Sequence, residues 1–354
     1  MSQIFDFDGK RNTGMQGGMK LKKRMAYLLC VALLIFCGYS ACVQKRKEAV
    51  PEFVLTYGEN QAEDYPTTQG GLRFAELVKE RTDGKVIIQM KCGGVLGEEP
   101  SVVQQARFGG VDFVRISLAS VSDMLPQLNV IQMPYLYKNS EHMWKVLDGE
   151  IGEKFLETFK DAGLVALSWY DAGTRSFYSS QKPIQSPEDM EGMVVRVQDS
   201  ELMYDVITAL GAKPYSNAFS EVYSAFETKI IDAAENNWPS YESTKHYEVA
   251  KYFTLDEHTR VPEVQIVSEQ TWNKLPEEYQ NIIRECAEES AEYERELWKE
   301  REETARKHAI EEGCQEIHLS EDKLKEFQTL VAPVYEKYCA DYMDILEEIR
   351  QADE

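Results

Sequence analysis

Phe53-Val54-Leu55-Thr56-Tyr57, then Thr68 to Arg81, then Val86-Ile87-Ile88-Gln89-Met90, then Ser101 to Phe108, then Val111-Asp112-Phe113-Val114: over these residues apolar runs and helical periods take turns. In the stretch from Thr68 to Arg81, Leu72, Ala75, Leu77 and Val78 fall on one helical face, and Asp83-Gly84 ends it. Short apolar runs separated by amphipathic helices predict parallel strands covered on both faces. Ligands of such sheets collect at the carboxyl ends of the strands. Arg115 follows Val114 directly, so it is expected there.

The alternation resumes beyond residue 160. Val165-Ala166-Leu167-Ser168-Trp169, Met193-Val194-Val195, Ile230-Ile231-Asp232 and Val264-Gln265-Ile266-Val267 read as strands, and Leu202 to Leu210 and Glu221 to Glu227 as helices. So much alternation predicts two sheets in an α/β chain. Pro276 to Glu312 differs: it has no proline after its first residue and no glycine before Gly313. Tyr279, Ile282, Ile283, Cys286, Tyr293, Leu297 and Trp298 form its apolar seam. It reads as one helix long enough to brace two lobes, or as a pair broken near Glu288 to Ser290.

The chain has 354 residues and a formal charge of −22. At its start, Lys20, Lys22, Lys23 and Arg24 precede an apolar stretch from Met25 to Tyr39 and then Ser40-Ala41-Cys42. Basic block, short apolar core and small-residue exit are the parts of an export signal, with Met19 as a natural start. The ending resembles a lipobox in which Cys42 would be lipidated, although Tyr39 stands where leucine is usual. An ordinary cleavage site or a simple anchor are the alternatives. Removing residues 1–41 takes away two acids and six bases, so the net charge falls from −22 to −26. Such a surface repels nucleic acid and anionic lipid.

No familiar catalytic pattern is present. The five histidines show no zinc spacing; there is no HExxH, GxSxG, GxGxxG or P-loop, and the cysteines show no CxxC. A Cys286–Cys339 or Cys314–Cys339 bridge is left open. Neither an enzyme nor a cofactor is expected. His258 reads as a buried hydrogen-bonding residue and His308 as a surface one, while Trp238 and Tyr178 read as core. Two arginines stand out. Arg175 lies in Trp169-Tyr170-Asp171-Ala172-Gly173-Thr174-Arg175-Ser176-Phe177-Tyr178, and Arg196 in Gly192-Met193-Val194-Val195-Arg196-Val197-Gln198. Each follows a strand-like run and is expected to project from a sheet end. A guanidinium held there presents a rigid fork that matches a carboxylate. The competing reading pairs them with Asp171, Glu191 or Asp199.

From about Phe53 to Val334 the chain resembles the solute-binding proteins of tripartite ATP-independent (TRAP) transporters. The resemblance rests on an ordered set of landmarks: Phe74-Ala75-Glu76-Leu77-Val78 with Thr82-Asp83-Gly84-Lys85-Val86, Gly93-Gly94-Val95-Leu96-Gly97-Glu98-Glu99, Met133-Pro134-Tyr135-Leu136, the Arg175 segment, Gly192-Met193-Val194-Val195-Arg196-Val197, and Ile231-Asp232-Ala233-Ala234-Glu235-Asn236. Gln198 and Ala233 depart from the family's usual Pro and Gly. The segments Glu235 to Tyr241, His246 to Lys251 and Asp256 to Glu263 resemble members that take hexuronates.

The resemblance implies a two-lobed periplasmic-binding-protein-like fold with parallel or mixed sheets, closing over a ligand. Residues 1–42 would be the signal peptide and 43–52 a tether. Lobe I would take 53–172 with about 262–300, and lobe II 173–261 with about 301–354. Arg196 would grip a ligand carboxylate, Arg175 would add a second cation, and Asn236 would bond from the opposing side. Glu99, Arg115 and Gln61 are candidates for ring hydroxyls. For each there is a plainer alternative: a helix-start acid for Glu99, a salt bridge with Asp112 or Asp123 for Arg115, an exposed loop for Gln61. The expected role is extracytoplasmic delivery of D-glucuronate or D-galacturonate to a separate membrane permease. The alternatives are a C4-dicarboxylate carrier, with Arg175 and Arg115 on the second carboxylate, and a ligand-sensing partner of a membrane kinase.

Overall fold

The computed structural model describes residues 50–352, so the expected export signal, Cys42 and most of the expected tether lie outside the described residues. Within them are two sheets. The first has strand order β2-β1-β3-β10-β4, from β1 (Phe53–Gly58), β2 (Val86–Lys91), β3 (Phe113–Ser117), β4 (Leu164–Tyr170) and β10 (Glu263–Ser268). The second runs β11-β9-β5-β8-β6-β7, from β5 (Arg175–Ser179), β6 (Val194–Val197), β7 (Lys213–Ser216), β8 (Ala233–Asn236), β9 (Tyr252–Thr259) and β11 (Gln315–His318).

The strands expected to be parallel are so only in part. β1 pairs β2 and β3 in parallel, but β10 runs antiparallel to both β3 and β4. The cause is topological: β10 enters from the second sheet over residues 260–262, so it arrives from the opposite end. In the second sheet β5 is likewise antiparallel to β8 and β9. Two strand positions shift. The third strand is Phe113–Ser117, placing Arg115 inside it and not beyond its end. The predicted strand Ile230–Asp232 is a turn with Ile230 half exposed, and pairing begins at Ala233.

Glu277–Glu311 is one helix of 35 residues, roughly 52 Å at about 1.5 Å per residue. Pro276 precedes it, Glu277 and Glu278 complement the positive end of its dipole, and Gly313 at φ 101° lies just past its end. It does not break near Ser290, because Ser290 is itself buried and its hydroxyl bonds Tyr170 Oη at 3.0 Å. The seam differs in one place. Tyr293 is partly exposed, and its neighbour Glu294 is wholly buried, accepting the Asp171 N–H at 2.8 Å. The helix packs on Pro66–Arg81 and β4 beside the first sheet, and on Trp238–Ser243 beside the second.

That packing needs Gly70. A Cβ there would come within 2.8 Å of the Tyr170 ring and 2.9 Å of Glu294 Cβ. Gly70→Ala is therefore expected to destabilise by about 1–3 kcal/mol, through overpacking that outweighs alanine's better helix propensity. Urea unfolding at constant m-value measures it.

The remaining readings resolve simply. Trp238 and Tyr178 are core: Trp238 stacks on Phe253 at 3.7 Å, and Tyr178 is fully buried. His258 is buried with Nδ1 at 2.8 Å from Asp256, and His308 is a partly exposed partner of Glu242. Neither disulfide forms, since Cys286, Cys314 and Cys339 are all free, as is Cys92. Among the described residues no helix is long and apolar enough to cross a membrane.

Candidate ligand-binding site

A cavity of about 290 Å³ takes lining residues from both sheets and from the long helix. That is near the lower end of the roughly 300–1,000 Å³ of small-molecule sites, so it suits one small metabolite. Arg196, Arg175, Asn236, Arg115, Glu99 and Gln61 all line it. Tyr65 and Trp298 close part of the wall, their rings 5.9 Å apart.

The three arginines are in different electrostatic states. Arg115 is buried, and it pairs with neither Asp112 nor Asp123. It donates from Nε to Glu59 at 3.0 Å, from Nη1 to Glu99 at 2.9 Å and to Glu263 at 2.6 Å, and from Nη2 to Glu59 and to Asn60. All five of its N–H donors are thereby engaged. Asp112 instead accepts from Thr56 and Thr271.

Arg175 opens β5 instead of closing a strand, because residues 171–174 have just carried the chain from the first sheet to the second. It is neutralised bidentately by Glu235 from β8, through Nε and through Nη2 at 2.8 Å. The same carboxylate lies 3.8 Å from His258 Nε2. Burial pushes the Glu235 carboxyl up, but Arg175 and His258 outweigh it and hold the group at about 2. Burial lowers His258, but Asp256 and Glu235 outweigh that and raise it to about 9.

Arg196 is the exception. It sits third in β6, 5 % exposed, and bonds only neutral oxygens: the Asn217 side chain at 3.3 Å and the Asn217 carbonyl at 2.9 Å. Neither Asp171, Glu191 nor Asp199 pairs with it. Burial lowers its pKa from the usual arginine range, yet a guanidinium stays charged. It is a buried cation facing a cavity with no carboxylate on it among the described residues. That is the arrangement an anionic ligand completes.

Asn236 does not face the arginines from the opposing side. β8 lies between β5 and β6, so Asn236 stands beside Arg175 on the same sheet and accepts its Nη1–H at 3.0 Å. Glu99 begins the helix Glu99–Arg107, and both its oxygens are taken by Asn60, Arg115, Ser117 and Ser120. Gln61 is half-buried at the cavity edge. Three polar atoms of the lining are buried without hydrogen-bond partners among the described residues, Thr67 Oγ1, Gln198 Oε1 and Trp298 Nε1. Such orphans are costly unless something bonds them.

Glu59, Glu235 and Glu263 received no role from the sequence. Glu59 carried a signal, since it follows β1 as Arg115 was expected to follow β3. Glu235 and Glu263 carried none, because their arginine partners lie 60 and 148 residues away.

A sequence profile of bacterial extracellular solute-binding proteins, family 7, matches residues 57–341. The chain belongs to this family. A solute-binding protein of Chromohalobacter salexigens is 35% identical over 92% of this chain and 96% of its own. Among solved structures, a TRAP periplasmic solute-binding protein from Bradyrhizobium sp. BTAi1 in complex with α/β-D-galacturonate has a TM-score of 0.82 at 34% identity, covering 84% of this chain and 99% of that one. Another from Roseobacter denitrificans with bound β-D-glucuronate gives 0.81 at 39% identity, with coverages of 84% and 99%. The family-7 protein thus has the two-lobed TRAP receptor fold. It belongs among transporter solute-binding proteins, which act outside the cytoplasm and are not enzymes.

Proposed function

We propose that this family-7 protein captures a hexuronate, D-glucuronate or D-galacturonate, and delivers it to a separate membrane permease. One observation carries the reading: Arg196 is a buried guanidinium lining a metabolite-sized cavity, with no counter-ion among the described residues. A ligand carboxylate supplies that charge and takes up N–H donors that Asn217 leaves open. Gln198 Oε1 and Trp298 Nε1 then find hydroxyl partners, with Gln61 and Asn236 at hand. The hexuronates held by similar receptors fit this division into one acid and several hydroxyls. The dicarboxylate alternative loses its support, because Arg175 and Arg115 already carry protein carboxylates.

In this reading the first sheet with residues 53–172 and about 262–300 forms one lobe. The second, with 173–261 and about 301–354, forms the other, and Cys42 anchors the chain by a lipid. Closure follows from ligand contact with both walls at once. A thermal-shift panel tests it: ligand at about 100 times its Kd stabilises by roughly 2.7 kcal/mol. D-glucuronate or D-galacturonate should shift the midpoint, with malate and succinate inert; the reverse pattern rejects the proposal.

A further inference from the structure

Three carboxylates, Glu59, Glu99 and Glu263, converge on the one guanidinium of Arg115. With all three ionised the cluster carries an excess of two negative charges, on a wall supplied by the first sheet. Its oxygens are not equally occupied. Glu59 binds Arg115 through both oxygens and also accepts the Gln61 N–H at 3.0 Å. Glu99 accepts four bonds. Glu263 accepts one, through Oε2 from Arg115 at 2.6 Å. Its Oε1 has no hydrogen bond among the described residues and is not among their buried orphan atoms, and the residue lines the cavity. Glu263 also begins β10, immediately after the 260–262 link between the sheets, and its neighbour Arg115 has no donor left to offer.

We propose that Glu263 reads the end of the ligand remote from Arg196: its free oxygen accepts a ligand hydroxyl, and the surplus negative charge of its cluster bars a second carboxylate. The site then selects polyhydroxy acids with a single carboxyl and rejects dicarboxylates of similar size. This rests on the sugar-acid reading above and adds the residue that enforces it. A salt bridge serving only to fix the link would leave ligand preference unchanged, so preference is the quantity to measure.

The charge is also adjustable. Burial raises Glu263 to about 7, with Glu99 and Glu59 adding to the rise and Arg115 opposing it. Tyr65, Arg175 on β5 and Glu294 on the long helix also feel its charge. Above that pH the carboxylate is ionised and repels a second acid; below it the group is neutral and the barrier weakens.

The test is calorimetric titration of the full chain and of Glu263→Gln with D-glucuronate and with D-glucarate, its dicarboxylate, at about pH 8 and about pH 5.5. The wild type should favour glucuronate by at least ~100-fold at the higher pH, and by roughly tenfold less at the lower one. In Glu263→Gln, glucuronate should weaken about 10–100-fold, the preference should collapse, and its pH dependence should vanish. An unchanged preference in the variant overturns the inference. If the variant does not fold, the wild-type series decides, and a preference flat with pH overturns it. A wild type that ignores glucuronate here and galacturonate in the thermal-shift panel sinks the sugar-acid reading and this inference together. One that binds glucuronate and glucarate alike sinks only this one.

Discussion

Arg196→Met is expected to abolish hexuronate binding while the ligand-free protein stays folded. In the complex, the ligand carboxylate would enter a cavity whose other two arginines already serve Glu235 and the Glu59–Glu99–Glu263 cluster. Without Arg196 that carboxylate is buried and unpaired, which costs about 3–5 kcal/mol. This corresponds to a loss of about 10²–10⁴-fold in affinity. Arg196→Lys keeps the charge but not the fork, so an intermediate loss of about 10–100-fold is expected. The free protein responds differently. Removing a cation without a counter-ion relieves a desolvation cost, while the two Asn217 oxygens lose their donor. These effects oppose each other, and the unfolding free energy should move by no more than about 1 kcal/mol. Calorimetry with D-glucuronate and urea unfolding of the ligand-free variant measure the two halves separately. Retention of affinity within tenfold would remove Arg196 from its role.

Glu235→Gln should do the opposite, damaging the fold first. Glu235 is fully buried and joins Arg175 to His258 across three strands of the second sheet. Its replacement leaves Arg175 without its counter-charge in the interior, at a cost of about 3–5 kcal/mol. The pH dependence identifies the group. The Glu235 carboxyl is held at about 2, below its ordinary 4.5. Its contribution is therefore complete above about 4.5 and is lost as pH falls toward 2. His258 is raised from 6.5 to about 9, so its contribution is complete below 6.5 and is lost as pH rises through about 9. Wild-type stability should thus be greatest between those limits, and the acid limb should flatten in Glu235→Gln. A variant as stable as wild type near pH 6, with an unaltered acid limb, would contradict this assignment.

What the sequence disclosed and what it withheld divide along a physical line. Periodicity is local, so β1, β2, the helix Pro66–Arg81 and the helical character of Glu277–Glu311 were legible from runs of adjacent residues, whereas the continuity of that last helix past Ser290 was not. Strand direction is not local: Val264–Val267 reads the same whichever way it runs, and only the link at 260–262 makes β10 antiparallel. The arginines were visible because charge in an apolar run is conspicuous, and all six expected cavity residues do line one cavity. Which arginine remains uncompensated was hidden, since it depends on acids brought from 56, 60 and 148 residues away. Tyr293 and Glu294 show the limit of a helical seam: one position, about 100° of turn, separates a surface ring from a buried carboxyl.

The unbroken helix Glu277–Glu311 has a consequence for selection by size. It lies against both sheets, and the two strand-to-strand links beside it are only four and three residues long. In the closure proposed above, each half of the protein swings as a stiff jaw about a short axle, with little room to flex in detail. A solute one bond too long meets no gradually looser grip; it props the jaws apart, and the second wall never arrives. Length discrimination is in that sense a property of the skeleton, and repainting the lining side chains alone would not remove it.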